Sequence, residues 1–149
     1  LMFSGHIKPG GEAIGSQLAM ANLLRMMDKE VRIINNDCVP KNSMFMPGVE
    51  KVERFESLDK KEVEFDVAII LDSPTPERIG AVKELLDDKY IINIDHHVSN
   101  SGFGDINWVD AHCSSAGAMI FDLVKSDKIA IDDESALCIY VAIMIYYNM

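Results

Sequence analysis

Short apolar, β-branched runs recur along this chain between segments of helical spacing, and that alternation constrains the fold more than any other feature. Val67-Ala68-Ile69-Ile70-Leu71 and Tyr90-Ile91-Ile92-Asn93-Ile94 are apolar runs, the pattern of strands buried on both faces of a parallel sheet. Leu1 to Phe3, Val31 to Ile34 and Ile106 to Val109 read as further strands, and Val52 to Phe55 as a short edge strand. Ile14, Leu18, Ala21 and Leu24 fall at helical spacing within a helix expected from Glu12 to Met27. Further helices are expected after Asp72 up to Leu86, from Ser115 to Lys125, and from Asp132 onward, while Pro40 and Pro47 make the stretch Lys41 to Gly48 irregular. The expected fold is α/β: a doubly wound, mainly parallel sheet with helices on both faces, forming one domain over residues 1–149.

At 149 residues and 48% hydrophobic content, one buried core is expected. No apolar run reaches the roughly 18 residues of a membrane span, so no membrane partner is expected. A net charge of −10 argues against holding long duplex nucleic acid by its phosphates. It leaves room for a small phosphorylated substrate, since a bound cation can reverse the local field. Cys38, Cys113 and Cys138 are odd in number and lack zinc-type spacing, which suits a reducing cytosol and a cytoplasmic protein. Because the chain opens at Leu1 inside an expected strand, further residues are expected to precede it.

Three strand ends carry chemistry. In open α/β sheets, ligands bind in the crevice beyond the carboxyl ends of the strands. The loop Ser4 to Ser16 lacks a Gly-x-Gly-x-x-Gly fingerprint, and its Gly10…Gly15 spacing is followed by Ser16 where a phosphate loop has lysine. What remains is His6 and Glu12 beside a helix N-terminus, either an anion site or a glycine turn with a capping glutamate. Asp72 directly follows a strand; alone it reads as a turn former before Pro74. Asp95-His96-His97 follows another strand, and the adjacent imidazoles point in different directions. That suits one histidine as metal ligand and its neighbour as substrate contact, with Asp95 fixing a ring tautomer. The methionines on helices read as core, His112 as a surface loop residue, and Asp132-Asp133-Glu134 as an acidic first helical turn.

Taken together, His6 to Ser16, Leu71 to Gly80 and Ile94 to Asn100 resemble the DHH phosphoesterase superfamily, within it the RecJ-related bacterial oligoribonuclease and adenosine-bisphosphate phosphatase group. Asp110 to Asp122 and Tyr140 to Met144 extend the resemblance over nearly the whole chain. It implies two Mn²⁺ or Mg²⁺ ions and hydrolysis of a phosphate ester. Carried over by position, His6 and Asp72 would hold one ion, and Glu12, Asp72 and His96 the other, with Asp72 as the bridge. His97, supported by Asp95, would be the catalytic group at the scissile phosphate, with Asn100 and Ser115 also binding substrate. Two cations roughly 3.5–4 Å apart can generate a nucleophile and stabilise both the attacking and the leaving oxygen.

The departures from the family pattern matter equally. Its first segment usually reads Pro-Asp-Gly-Asp, where this chain has Pro9-Gly10-Gly11-Glu12. Tyr146 stands where a last metal-binding aspartate is usual, and Ala118 where a glutamate often occurs. Fewer anionic ligands bind a hard dication more weakly, so an impaired metal site is expected. Relatives also continue into a smaller C-terminal substrate-binding domain, which the resemblance implies is absent here. The expected substrate is a short oligoribonucleotide or a 3′-phosphoadenosine nucleotide. The alternative is a catalytically degenerate module that binds metal or nucleotide without turnover. A homodimer is compatible with the chain.

Overall fold

The computed structural model describes residues 1–147, with side chains through residue 145. Its sheet contains β1 (Met2–Gly5), β2 (Arg32–Asn35), β3 (Val52–Arg54), β4 (Val67–Leu71), β5 (Tyr90–Asp95) and β6 (Ile106–Val109). These pair in the order β3-β2-β1-β4-β5-β6, each neighbouring pair parallel. The order reverses between β1 and β4, which makes the gap above their carboxyl ends the topological switch point. Among the described residues, three α-helices complete the fold: α1 (Gly11–Met26), α2 (Ala116–Ser126) and α3 (Asp133–Tyr147).

The central strands are apolar without alternation because both faces are covered. Phe3, Ile33, Ile69, Leu71 and Ile94 pack with Ile14, Leu18, Met119, Ile120 and Ile139 beneath the three α-helices. Met2, Ile34, Ala68 and Ile70 point the other way, onto Phe55, Ile79, Val82 and Leu86. Successive side chains of β1, β2 and β4 thus alternate between two cores, as the period of a strand requires.

The second face is where the structure corrects the sequence reading. The segment expected as a helix up to Leu86 is 3₁₀ in character over Pro76–Leu86 and breaks at Gly80, whose φ is +65°. Gly80 has room for no side chain: a Cβ would stand 2.5 Å from Asn36 Oδ1. Asn36 Oδ1 instead accepts the Ala81 N–H, tying this segment to the end of β2. The doubly wound layering stands, but one layer is built of short turns of 3₁₀ helix.

The α-helical face is closed by small residues. A Cβ on Gly15 would lie 2.6 Å from the Cys138 carbonyl, and one on Gly117 would lie 2.5 Å from Ala142 Cβ. Gly15, which superficially suggests a phosphate loop, therefore lets α1 approach α3, as Gly117 does for α2. Ser115 caps α2, its hydroxyl accepting from Ala118 N, and Asp132 caps α3 by accepting from Ser135 N. No described helix is long and apolar enough to cross a membrane.

Candidate metal centre

The carboxyl ends of β1, β4 and β5 deliver His6, Asp72, and Asp95 with His96 and His97, and the first turn of α1 adds Glu12. Asp72 sits at the centre. Its side chain is 4% exposed, with Oδ2 3.3 Å from His6 Nε2 and Oδ1 3.3 Å from His96 Nε2. Glu12 Oε1 stands 3.1 Å from the same His96 nitrogen and accepts the Ala116 N–H at 3.0 Å. That carboxylate thus caps the N-terminus of α2 while facing the histidine, a favourable position in the field of the helix.

Two rings are oriented by acceptors behind them. His6 Nδ1 lies 2.7 Å from the Ile7 carbonyl, which can only accept, so Nδ1 carries the proton and Nε2 faces Asp72. His97 Nδ1 likewise donates to Asp95 Oδ1 at 2.6 Å. Asp95 is fully buried, and its second oxygen accepts from Asn100 Nδ2 at 2.8 Å. Asn100 Nδ2 also reaches Asn93 Oδ1 at 2.7 Å.

The electrostatics follow from these contacts. The Asp72 carboxylate 3.3 Å away, and then that of Glu12, push His96 up to about 10. Asp72 raises His6, and Asp95 raises His97. Burial works to raise Asp72 itself, but His6 and His96 outweigh it and hold its carboxyl below the usual range.

Asp72, His96 and His97 each offer a ligand atom within 4.8 Å of one another. The donor set passes two physical tests for a divalent cation. Asp72 Oδ1 is buried, yet no donor reaches it in hydrogen-bonding geometry. In addition, Asp72 holds a left-handed backbone at φ 55°, a costly conformation that aims its carboxylate at both imidazoles. Carboxylate oxygens with imidazole nitrogens suit Mn²⁺ or a similar ion.

Not every residue expected at the site faces it. Ser115 is fully buried and its hydroxyl is occupied by the helix cap. The Asn100 amide is turned inward, to Asn93 and Asp95. Gly10 is the N-cap residue of α1 and offers no side chain, while the Tyr146 side chain lies outside the described residues. Asn93 escaped the sequence reading; its signal was one amide within an otherwise apolar strand.

A parallel sheet whose switch point gathers three carboxylates and three imidazoles is an α/β domain with a candidate metal-binding group. The family is more specific: the chain belongs to the DHH family, whose N-terminal domain matches residues 1–143. The probable bifunctional oligoribonuclease and PAP phosphatase NrnA of Streptococcus mutans is 25% identical over 141 residues, covering 93% of this chain and 43% of that protein. The NrnA of Thermus thermophilus is 31% identical over 119 residues, covering 80% of this chain and 34% of its own length. An exopolyphosphatase-related protein from Bacteroides fragilis superposes with a TM-score of 0.90 at 28% identity, over 99% of this chain and 46% of the other. The chain therefore spans less than half the length of these relatives.

Proposed function

We propose that this chain is the metal-binding, catalytic-type half of a Mn²⁺-dependent phosphoesterase acting on short oligoribonucleotides or a 3′-phosphoadenosine nucleotide. The observation that carries the reading is the Asp72 carboxylate, which turns one oxygen to His6 and the other to His96 at the switch point. The names of the relatives, which pair oligoribonuclease with PAP phosphatase, support the substrate class. The three unpaired cysteines fit a cytoplasmic setting.

In this reading His6, Asp72, Glu12 and His96 would hold the metal. Bound divalent ions would supply Lewis-acid polarisation of the phosphate and a nucleophile at neutral pH. The chain's own residues do the rest. The Ile7 carbonyl keeps the His6 Nε2 lone pair available when that ring is neutral. Asp95 fixes the His97 ring through Nδ1 and favours its charged form, so the far edge of this 40% exposed imidazole can donate to a phosphate oxygen. Asn100 supports that pair from behind and is assigned no direct substrate contact.

A second reading has its own observation. Gly10 leaves the N-cap of α1 without a carboxylate, which favours a weakened site or a module that binds without turnover. Mn²⁺ titration calorimetry combined with hydrolysis assays on a short oligoribonucleotide and 3′-phosphoadenosine 5′-phosphate tests both. Mn²⁺-dependent release of nucleotide or phosphate supports the enzyme; Mn²⁺ binding without release supports the module; no Mn²⁺ binding removes the enzyme and the metal-binding form of the module.

A further inference from the structure

Asn93 lies in the middle of β5 between Ile92 and Ile94 and is fully buried. Folding alone would favour an apolar residue at such a position, because a buried amide is costly unless every polar atom is paired. Here every one is paired. Asn93 Nδ2 is 3.1 Å from the Ile70 carbonyl and 3.1 Å from the Ser73 carbonyl, while Oδ1 accepts from Asn100 at 2.7 Å. Two carbonyls on one side and an amide donor on the other leave only one orientation for the Asn93 amide.

The two carbonyls bracket Leu71 and Asp72, the turn in which Asp72 holds its left-handed φ. Asn100, on the far side, donates from the same nitrogen to Asp95, which in turn holds His97. One side chain thus joins the strained carboxylate turn of β4 to the imidazole pair that follows β5. We infer that Asn93 is a positioning residue: it clamps the Asp72 turn and, through Asn100 and Asp95, sets the His97 ring against it. The metal part of this inference rests on the proposed function; the ring part does not.

The test uses the full chain and a near-isosteric change, Asn93→Leu, read in three ways. Thermal melting reports the fold, Mn²⁺ calorimetry reports the Asp72 turn, and the ¹H and ¹⁵N signals of the His97 imidazole report the ring. The expected result is a folded variant whose Mn²⁺ affinity falls at least about tenfold, the scale of losses when a ligand's supporting hydrogen bonds are removed. Its His97 Nδ1–H signal should move or broaden. Asn100→Ala should disturb that signal while leaving Mn²⁺ affinity within about twofold, because Asn93 still holds both carbonyls of the turn. A folded Asn93→Leu with native Mn²⁺ affinity and an unmoved His97 signal overturns the inference. If wild-type protein binds no Mn²⁺, the functional proposal fails, yet the His97 signal still decides the role of Asn93. Should Asn93→Leu fail to fold, Asn93→Ser, whose hydroxyl can satisfy at most one carbonyl, is read by the same signals with the same expected and overturning results.

Discussion

His6 Nε2 and Asp72 Oδ2 meet 3.3 Å apart across the point where the strand order reverses, one at the end of β1 and the other at the end of β4. Asp72→Asn tests what that contact is for. Asparagine tolerates the left-handed backbone that Asp72 adopts, so the fold should survive. Mn²⁺ binding and any hydrolysis should be lost, because the amide removes the shared negative charge. Asp72→Ala should lose the same functions and melt lower than Asp72→Asn, by about 1 kcal/mol, since alanine pays for the left-handed conformation. Equal melting of the two variants would contradict the strain assigned to this turn.

Glu12 serves two masters, and Glu12→Gln separates them. A glutamine oxygen can still accept the Ala116 N–H, so the cap of α2 is retained with only the charge–dipole part lost, about 0.3–1 kcal/mol. The charge facing His96 is gone, which should lower the pKa of that ring and weaken Mn²⁺ about tenfold. Glu12→Ala should lose the cap as well and destabilise the protein further. Calorimetry and denaturant midpoints on the pair distinguish the two contributions.

The histidines predict a pH dependence with a definite sign. His96 is raised from 6.5 to about 10, and His6 and His97 are raised in the same direction. A group raised on folding contributes stability that is complete below its unfolded value and is lost as pH climbs through its folded value. Protein treated with a chelator should therefore lose melting temperature from neutrality toward about pH 10. Binding of Mn²⁺ must displace the protons of His6 and His96, so affinity should rise with pH and binding should release protons into the buffer. Calorimetric heats that do not vary with buffer ionisation enthalpy would rule this out.

Close packing of the helices gives a prediction away from the site. Gly15→Ala places a methyl 2.6 Å from the Cys138 carbonyl, against backbone that cannot rotate away. The expected cost is about 1–3 kcal/mol. The denaturant midpoint should fall without a change in slope, because the same surface is exposed on unfolding. Mn²⁺ affinity should change little, since Gly15 faces α3 rather than the metal centre.

Much of the architecture was legible because burial on both faces leaves an unmistakable pattern: Val67–Leu71 cannot be an amphipathic strand. The segment after Asp72 misled because its apolar residues, Ile79, Val82 and Leu86, keep near-helical spacing while Gly80 breaks the backbone between them. Periodicity records which side chains are buried and is blind to a single positive φ. At the site, the residue types at the strand ends were readable from sequence, and the structure brings His6, Glu12, Asp72 and His96 into contact. The inward turn of Asn100 was not readable, because its partners Asn93 and Asp95 are set by packing. The Ser115 cap, by contrast, is local, made to Ala118 three residues on, and is a helix-start signal that the substrate-binding reading passed over.

Gly10 offers the most direct way to decide between a working and a weakened site. It is the N-cap of α1 with φ −87° and ψ −178°, an extended backbone open to any residue, and a Cβ there would meet nothing within 4 Å. Gly10→Asp should therefore fold, and as an N-cap the new carboxylate should be neutral or stabilising by a few tenths of a kcal/mol, roughly the Asp-over-Gly preference at that position. The resemblance to the DHH pattern implies an aspartate at this position, and in that reading the new side chain would add an anionic oxygen to the metal centre. Mn²⁺ affinity should rise about tenfold, since a hard dication gains from each added carboxylate. If hydrolysis appears or increases together with affinity, the wild-type chain carries an impaired phosphoesterase site. If affinity rises and hydrolysis stays absent with the complete substrate set, the binding-module reading is favoured over the enzyme. Unchanged affinity in a folded Gly10→Asp protein would mean that Gly10 does not face the metal centre, and the impairment assigned to it would have to be withdrawn.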